Sequence, residues 1–341
     1  MIVQLSFPPD PPADQVERLR ALSPDLKVVV SPYLEDHGLR AARGQGALDE
    51  LRAGAPALTE EQQAAYARAE VLLALDLPFD LGRIAPSLRW VQAIGAGTDH
   101  FRGAGLGPGV AVTNATGVAA VPIAEFVIGR LLAVWKHFDE LADRQHRHVW
   151  EPAYGRLVSG LTLGLVGLGG IGTAVAERAR ALGMRVLAVR RRHVAGDASP
   201  VADEVFGPEG LREVLSRSDA VVVCAPATPE TRDLFDAAAF AAMRPGAVFC
   251  NVARGSLVDE GALLDALRRG HLGAAVLDVT REEPLPADSP LWDAPNLLLS
   301  PHSSASLDRY VESLFDLFVE NLGRYLRGEP LGNVVELPPG F

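Results

Sequence analysis

Three glycines and a run of arginines carry the first chemistry of this chain. Gly167, Gly169 and Gly172 stand in "VGLGGIG" at the spacing G-x-G-x-x-G. The string is common by itself. Here it follows an apolar strand, Leu161–Val166, and opens an amphipathic helix over about 170–182, the setting such a loop needs. The first glycine allows the tight turn, the second lets the backbone approach a pyrophosphate, and the third allows helix to pack on strand. The phosphates then lie over the helix N-terminus. The spacing predicts a dinucleotide-binding loop.

Arg190, Arg191 and Arg192 follow the next strand, Arg185–Val189, and Arg190 stands eighteen residues past Gly172. An NAD-binding unit usually places Asp or Glu there to hold the ribose 2′-OH. A carboxylate repels a 2′-phosphate, whereas a guanidinium can bind one bidentately. The expected cofactor is therefore NADP (as NADPH), with NAD as the second candidate. Arg190 is the principal contact, Arg191 its helper and Arg192 a surface residue. The competing reading is a solvated arginine run with weak or dual cofactor preference. His193 reads as a loop residue.

Three later segments end in residues that could act on a substrate: "CNVARGSLVDE" (250–260), "AAVLDVTREEPLPADSPLW" (274–292) and "LLLSPHSSAS" (297–306). Each begins on an apolar strand and ends polar. Arg254, Glu283 and His302 should therefore gather at the carboxyl ends of strands, where doubly wound sheets bind ligands. A cation that could clamp an acid, a histidine that could move a proton and a dinucleotide that could carry hydride suit a redox step in a site closed to water.

The elements that must position these residues read as α/β. Strand-length apolar runs alternate with amphipathic helical segments, which predicts mainly parallel sheets. Early strands are expected at Ile2–Phe7, Lys27–Val30, Val71–Leu75, Trp90–Ile94 and Val110–Thr113. A long helix over about 121–148 follows, with Pro122 in its first turn. Later strands fall at Ala220–Cys224, Ala247–Asn251, Ala274–Asp278 and Leu297–Ser300, and a last helix over about 304–327 stops at Gly328. The 341 residues suffice for two domains, and 48% hydrophobic with 22% charged residues marks a globular chain. A net charge of −11 argues against nucleic acid or an anionic membrane as partner. No apolar run is long enough to span a bilayer, and the N-terminus has no secretory pattern. Cys224 and Cys250 sit in apolar runs and read as core residues of a cytoplasmic protein.

With these segments in order, the sequence resembles the D-isomer-specific 2-hydroxyacid dehydrogenase family over nearly its whole length. The resemblance also rests on "SLRWVQAIGAGTDHF" (87–101), "VTNATGVAAVPIAEF" (112–126) and "TPETRDLF" (228–235). "LRWVQ" together with the arginines points to the glyoxylate/hydroxypyruvate reductase side. The resemblance implies two Rossmann-like domains with parallel sheets, the nucleotide-binding domain (114–304) inserted in a flavodoxin-like substrate domain (1–113 and 305–341). Arg254 would bind the substrate carboxylate and polarise the 2-keto oxygen. His302 would protonate that oxygen as general acid while hydride arrives, and Glu283 would pair with His302. A carboxylate beside an imidazole favours the charged ring. Asp278 would face the nicotinamide carboxamide. Backbone N–H groups of Gly95, Ala96 and Gly97 would hold the substrate carboxylate. Gly170, Ile171, Ala225, Pro226, Thr231, Val252 and Ala253 complete the implied cofactor contacts, and a homodimer is implied as well.

Each assignment has a plainer rival. A histidine after a strand is often structural, and Arg254 alone could be a surface ion-pair partner. Glu282 neighbours Glu283, but the position before Pro284 favours Glu283. His146 and His148 beside Trp150 suggest a metal pair, yet with no third ligand evident they read as a solvated helix end, and no metal is expected. Trp135 and Phe138 are expected in the core or at a dimer interface. Three residues depart from the family pattern: Thr280 stands where an aromatic residue is common, and Ser303 and Ser304 stand where an apolar residue is usual. The leading expectation is an NADPH-preferring reductase of small 2-keto acids. The alternatives are a cofactor-sensing binding protein of corepressor type, or a dehydrogenase for phosphite or phosphoglycerate.

Overall fold

The alternation of apolar strands and helical segments builds two separate parallel sheets in the computed structural model, which describes residues 1–6, 11–45, 48–192, 198–306, 309–335 and 337. His193 lies outside the described residues. The chain divides into one unit of Met1–Val118 with Leu307–Phe341 and a second of Ala119–Ser306.

The first unit holds β1 (Ile2–Ser6), β2 (Lys27–Val30), β3 (Val71–Ala74), β4 (Trp90–Ala93) and β5 (Ala111–Thr113) in the order β2-β1-β3-β4-β5. All its strand pairs are parallel. This order is the flavodoxin-like one. β3 (VLLA) is buried along its whole length, which explains its unbroken apolar sequence rather than an alternating one. The helix Tyr310–Leu326 covers one face through Phe315, Phe318 and Leu322. Phe318 meets the Trp90 ring at 5.3 Å between centroids.

The second unit holds β6 (Thr162–Val166), β7 (Arg185–Val189), β8 (Glu204–Phe206), β9 (Ala220–Val223), β10 (Ala247–Asn251), β11 (Leu272–Leu277) and β12 (Leu297–Leu299). Their order is β12-β11-β10-β9-β6-β7-β8. Every pair is parallel. Val127, Leu131 and Trp135 of the helix Ala120–Lys136 share a core with Val175 and Ala179 of the helix Gly170–Ala181.

Two expectations need correction, and one strand was not expected. The helix expected over 121–148 is two helices, Ala120–Lys136 and Phe138–His146, broken at His137 with φ 57°. Its apolar stripe ends at Trp135, and the second helix buries none of its residues, so no packing extends the first axis. Trp135 is core, whereas Phe138 is exposed. The last helix begins at Tyr310 rather than near 304, directly after Arg309, which is left-handed at φ 58°. β8 escapes a hydrophobicity reading because it is three residues long and opens on an acid. It pairs with β7, and Arg185 and Arg217 both hold its Glu204. Among the described residues no helix is long and apolar enough to cross a membrane.

Candidate functional site

Because all seven strands of the second sheet run parallel, their carboxyl ends form one edge, and the loops leaving that edge carry the predicted residues of this unit. Gly167 follows β6 and Arg190 follows β7. Ala225, Pro226 and Thr231 follow β9, and Val252, Ala253 and Arg254 follow β10. Asp278 and Glu283 follow β11, and His302 follows β12. In doubly wound sheets this edge is where ligands bind.

The glycine loop has the steric properties of a phosphate cradle. Gly167 has φ 107°, and a Cβ there would lie 2.7 Å from the Ala225 nitrogen. A Cβ on Gly172 would lie 2.2 Å from the Gly167 carbonyl oxygen. Neither position admits a side chain, since both contacts are with backbone. A Cβ on Gly169 would meet nothing within 4 Å, so space stands open above the second glycine. Gly169 also begins the helix Gly170–Ala181, whose first turn has no side-chain cap. Open space and uncapped N–H groups suit a pyrophosphate. The Gly167 N–H donates to the Val189 carbonyl at 2.9 Å, which ties the loop to the strand that ends at Arg190. Arg190 is half-buried, and Arg191 and Arg192 are exposed. The Cys224 thiol donates to the Gly167 carbonyl at 2.9 Å from below. Burial pushes its pKa up to about 12 and raises that of Cys250 as well. Both cysteines are free thiols, and at neutral pH such thiols are unreactive.

Beyond β10, β11 and β12 the polar residues interlock. His302 Nδ1 lies 2.8 Å from Glu283 Oε2. A carboxylate oxygen can only accept, so Nδ1 carries the hydrogen and Nε2 is the nitrogen available to a substrate. The His302 side chain is 43% exposed and that of Glu283 only 18%, so the acid is sheltered and the ring is open to ligand. His302 has φ 50°, a left-handed conformation uncommon for a residue with a side chain.

Asp278 holds that turn. Its main-chain carbonyl accepts the His302 N–H at 2.8 Å. Its Oδ1 accepts the Ser300 hydroxyl at 2.7 Å and the N–H groups of Ser303 and Ser304 at 2.9 and 3.0 Å. The serines at 303 and 304 thus meet the fold through their backbone, which any side chain would supply. Asp278, expected at the nicotinamide, also anchors the histidine loop.

Arg254 is half-buried in extended backbone (φ −147°, ψ 147°). Its loop is pinned by the buried Asn251, whose amide donates to the Arg254 carbonyl at 2.9 Å and accepts the Ala253 N–H at 3.0 Å. Asn251 and Ser300 hold these loops by hydrogen bonds that the sequence reading did not assign, and the signal for each is a polar side chain at a strand end. Glu282 is exposed and its neighbour Glu283 is the one that reaches His302.

In the first unit, Gly95, Ala96 and Gly97 follow β4. The Gly95 carbonyl accepts the Ala115 N–H at 2.9 Å, and the Ala96 carbonyl accepts the Asn114 amide at 2.6 Å. Peptide planarity then turns the N–H groups of Ala96 and Gly97 to the opposite side.

The profile of the D-isomer specific 2-hydroxyacid dehydrogenase NAD-binding domain matches residues 128–304, just over half of the chain. The chain belongs to the D-isomer specific 2-hydroxyacid dehydrogenase family. Within this dehydrogenase family it is 34% identical to a glyoxylate/hydroxypyruvate reductase B of Citrobacter koseri, over 82% of this chain and 88% of that protein. It is 33% identical to the D-3-phosphoglycerate dehydrogenase of Methanocaldococcus jannaschii over 74% of this chain, an alignment that spans only 48% of that longer protein. Its fold superposes with a TM-score of 0.80 on the D-isomer specific 2-hydroxyacid dehydrogenase of Xanthobacter autotrophicus Py2, crystallised with NADPH and MES. That pair is 29% identical and covers 100% of this chain and 99% of the other. The dehydrogenase thus has the α/β fold with two parallel sheets and the NAD(P)-binding domain of its family. His146 and His148 are exposed at the end of the helix Phe138–His146, and among the described residues no group of three or more His, Cys, Asp or Glu could hold a metal.

Proposed function

We propose that this dehydrogenase reduces small 2-keto acids of the glyoxylate/hydroxypyruvate type to D-2-hydroxy acids, with NADPH preferred over NADH. The observation that carries the reading is the His302–Glu283 pair at 2.8 Å, set on the same sheet edge as Arg254 and the glycine loop. The bound nicotinamide supplies the hydride. His302 protonates the 2-keto oxygen from Nε2, while Glu283 keeps Nδ1–H oriented and offsets the ring's positive charge. Arg254 clamps the substrate carboxylate through a two-pronged charge-assisted contact and polarises the carbonyl. In the first unit, the backbone N–H groups of Gly95, Ala96 and Gly97 are the proposed carboxylate donors. Asp278 takes the carboxamide as well as the histidine loop.

Support for NADPH comes from Arg190 in the place of a ribose-binding acid and from the NADPH-bound relative. Gly170, Ile171, Ala225, Pro226, Thr231, Val252 and Ala253 line the remaining cofactor path, with Arg191 as helper. A homodimer is supported by the apolar side chains that the stretch after Phe138 exposes. Trp150 is 101% exposed, Tyr154 89% and Leu157 76%, more than a monomer usually leaves to water. We place the enzyme in the cytoplasm, where two free cysteines persist.

The test is a set of initial rates with glyoxylate, hydroxypyruvate, pyruvate and larger 2-keto acids, each with NADPH and with NADH. Turnover of the two-carbon and three-carbon acids, faster with NADPH at equal low concentration, is expected. No turnover of any 2-keto acid would overturn the reading.

A further inference from the structure

We propose that Thr280 is a positioning residue for the proton donor, an inference that rests on the role given to His302 above. Its hydroxyl donates to the Glu282 carbonyl at 2.7 Å and closes a tight turn over 280–283. Closing that turn brings the Glu283 side chain back over the start of the turn, where the Thr280 N–H donates to Oε1 at 3.1 Å. The other carboxylate oxygen, Oε2, is the one that accepts His302 Nδ1–H at 2.8 Å. One oxygen is thus fixed to the backbone and the other is presented to the imidazole.

The arrangement answers two physical problems. A glutamate side chain has several freely rotating bonds, and a partner held at only one oxygen would leave it mobile. Anchoring Oε1 removes that freedom before the substrate arrives, the preorganisation that acid catalysis rewards. The turn itself also needs a fixed root. Thr280 has one because Gly255, next to Arg254, lies against its main chain, where an added Cβ would fall 2.0 Å from the Thr280 carbonyl carbon. The loop carrying Arg254 and the turn carrying Glu283 therefore share one backbone contact. An aromatic residue, the type the family resemblance leads one to expect at 280, has no hydroxyl on Cβ to close this turn. In this chain the departure from the pattern adds a hydrogen bond that serves His302.

Thr280→Val keeps the shape and removes the hydroxyl, and Thr280→Ser keeps the hydroxyl. Glyoxylate reduction with NADPH is compared for both, with the solvent deuterium isotope effect on kcat and with NADPH affinity from cofactor fluorescence. Thr280→Val is expected to lower kcat about tenfold and to raise the isotope effect, because proton transfer becomes slower. NADPH affinity should stay unchanged, and Thr280→Ser should restore kcat to within about twofold. Wild-type kcat in Thr280→Val, or a lower kcat with an unchanged isotope effect, would overturn the proposal.

His302→Ala separates this proposal from the reading beneath it. If His302→Ala still reduces glyoxylate, His302 is not the donor. If it does not, while Thr280→Val behaves as wild type, only the role of Thr280 fails. Nitrogen-15 histidine NMR, with His302 assigned from His302→Ala, supplies a readout without turnover. The hydrogen at His302 Nδ1 should be retained in Thr280→Ser and lost to exchange in Thr280→Val and Thr280→Ala. Its retention in all three would refute the proposal.

Discussion

Gly255 and Thr280 touch backbone to backbone. A Cβ on Gly255 would stand 2.0 Å from the Thr280 carbonyl carbon, 2.1 Å from its oxygen and 2.4 Å from the Arg281 nitrogen. No flexible side chain can yield there. The loop after β10 and the turn after β11 are pressed together, and they carry Arg254 and Glu283 respectively.

Gly255→Ala is therefore expected to part the two loops. Overpacking of this kind costs about 1–3 kcal/mol of stability. Misplacing the clamp and the acid–histidine pair by roughly 1 Å should lower kcat/KM about 100-fold. Thermal unfolding and steady-state rates check both outcomes. A variant of wild-type activity would show that the contact does not position the site.

Arg190→Ser should separate the two cofactors. A charge-assisted contact to a 2′-phosphate is worth about 1.5–3 kcal/mol, so the KM for NADPH should rise roughly tenfold to a hundredfold. The KM for NADH, which has no such phosphate, should change little. Equal loss with both cofactors would assign Arg190 a structural role instead.

The first unit should lose stability on mild acidification. The partly buried His100 ring donates from Nε2 to the Leu75 carbonyl at 2.6 Å. Burial lowers its pKa below the ordinary 6.5, although the Leu75 contact, Asp76 and Asp99 pull upward and Arg40 adds to the lowering. Below about pH 6.5 the unfolded chain takes up a proton that the folded ring refuses, so stability falls as pH falls. Glu35 acts with the opposite sign. Burial raises its pKa above the ordinary 4.5 despite the Arg43 contact, so its contribution is present at low pH and is lost as pH rises. Between pH 7 and pH 5 the wild type should lose more unfolding temperature, or gain less, than His100→Gln. An identical slope in the variant would show that another group is responsible.

Much of the architecture is legible in residue order. β7 and β10 fall where apolar runs predict them, because strands buried inside a parallel sheet are rich in apolar residues. The glycine loop is equally legible, since Gly167 and Gly172 are demanded by local sterics. His137 and Tyr310 mark where that reading fails. The first breaks a helix that periodicity would continue, and the second starts one late, directly after the left-handed Arg309.

By itself, the sequence determined which chemical groups stand at strand ends and in what order, because burial and turn geometry are properties of short segments. Only the tertiary structure decided which of those groups meet. Glu283 Oε2 meets His302 Nδ1, and Asp278 holds the histidine loop. Such pairings join segments about twenty residues apart across neighbouring strands. Parallel register brings them together, and no local pattern encodes that contact.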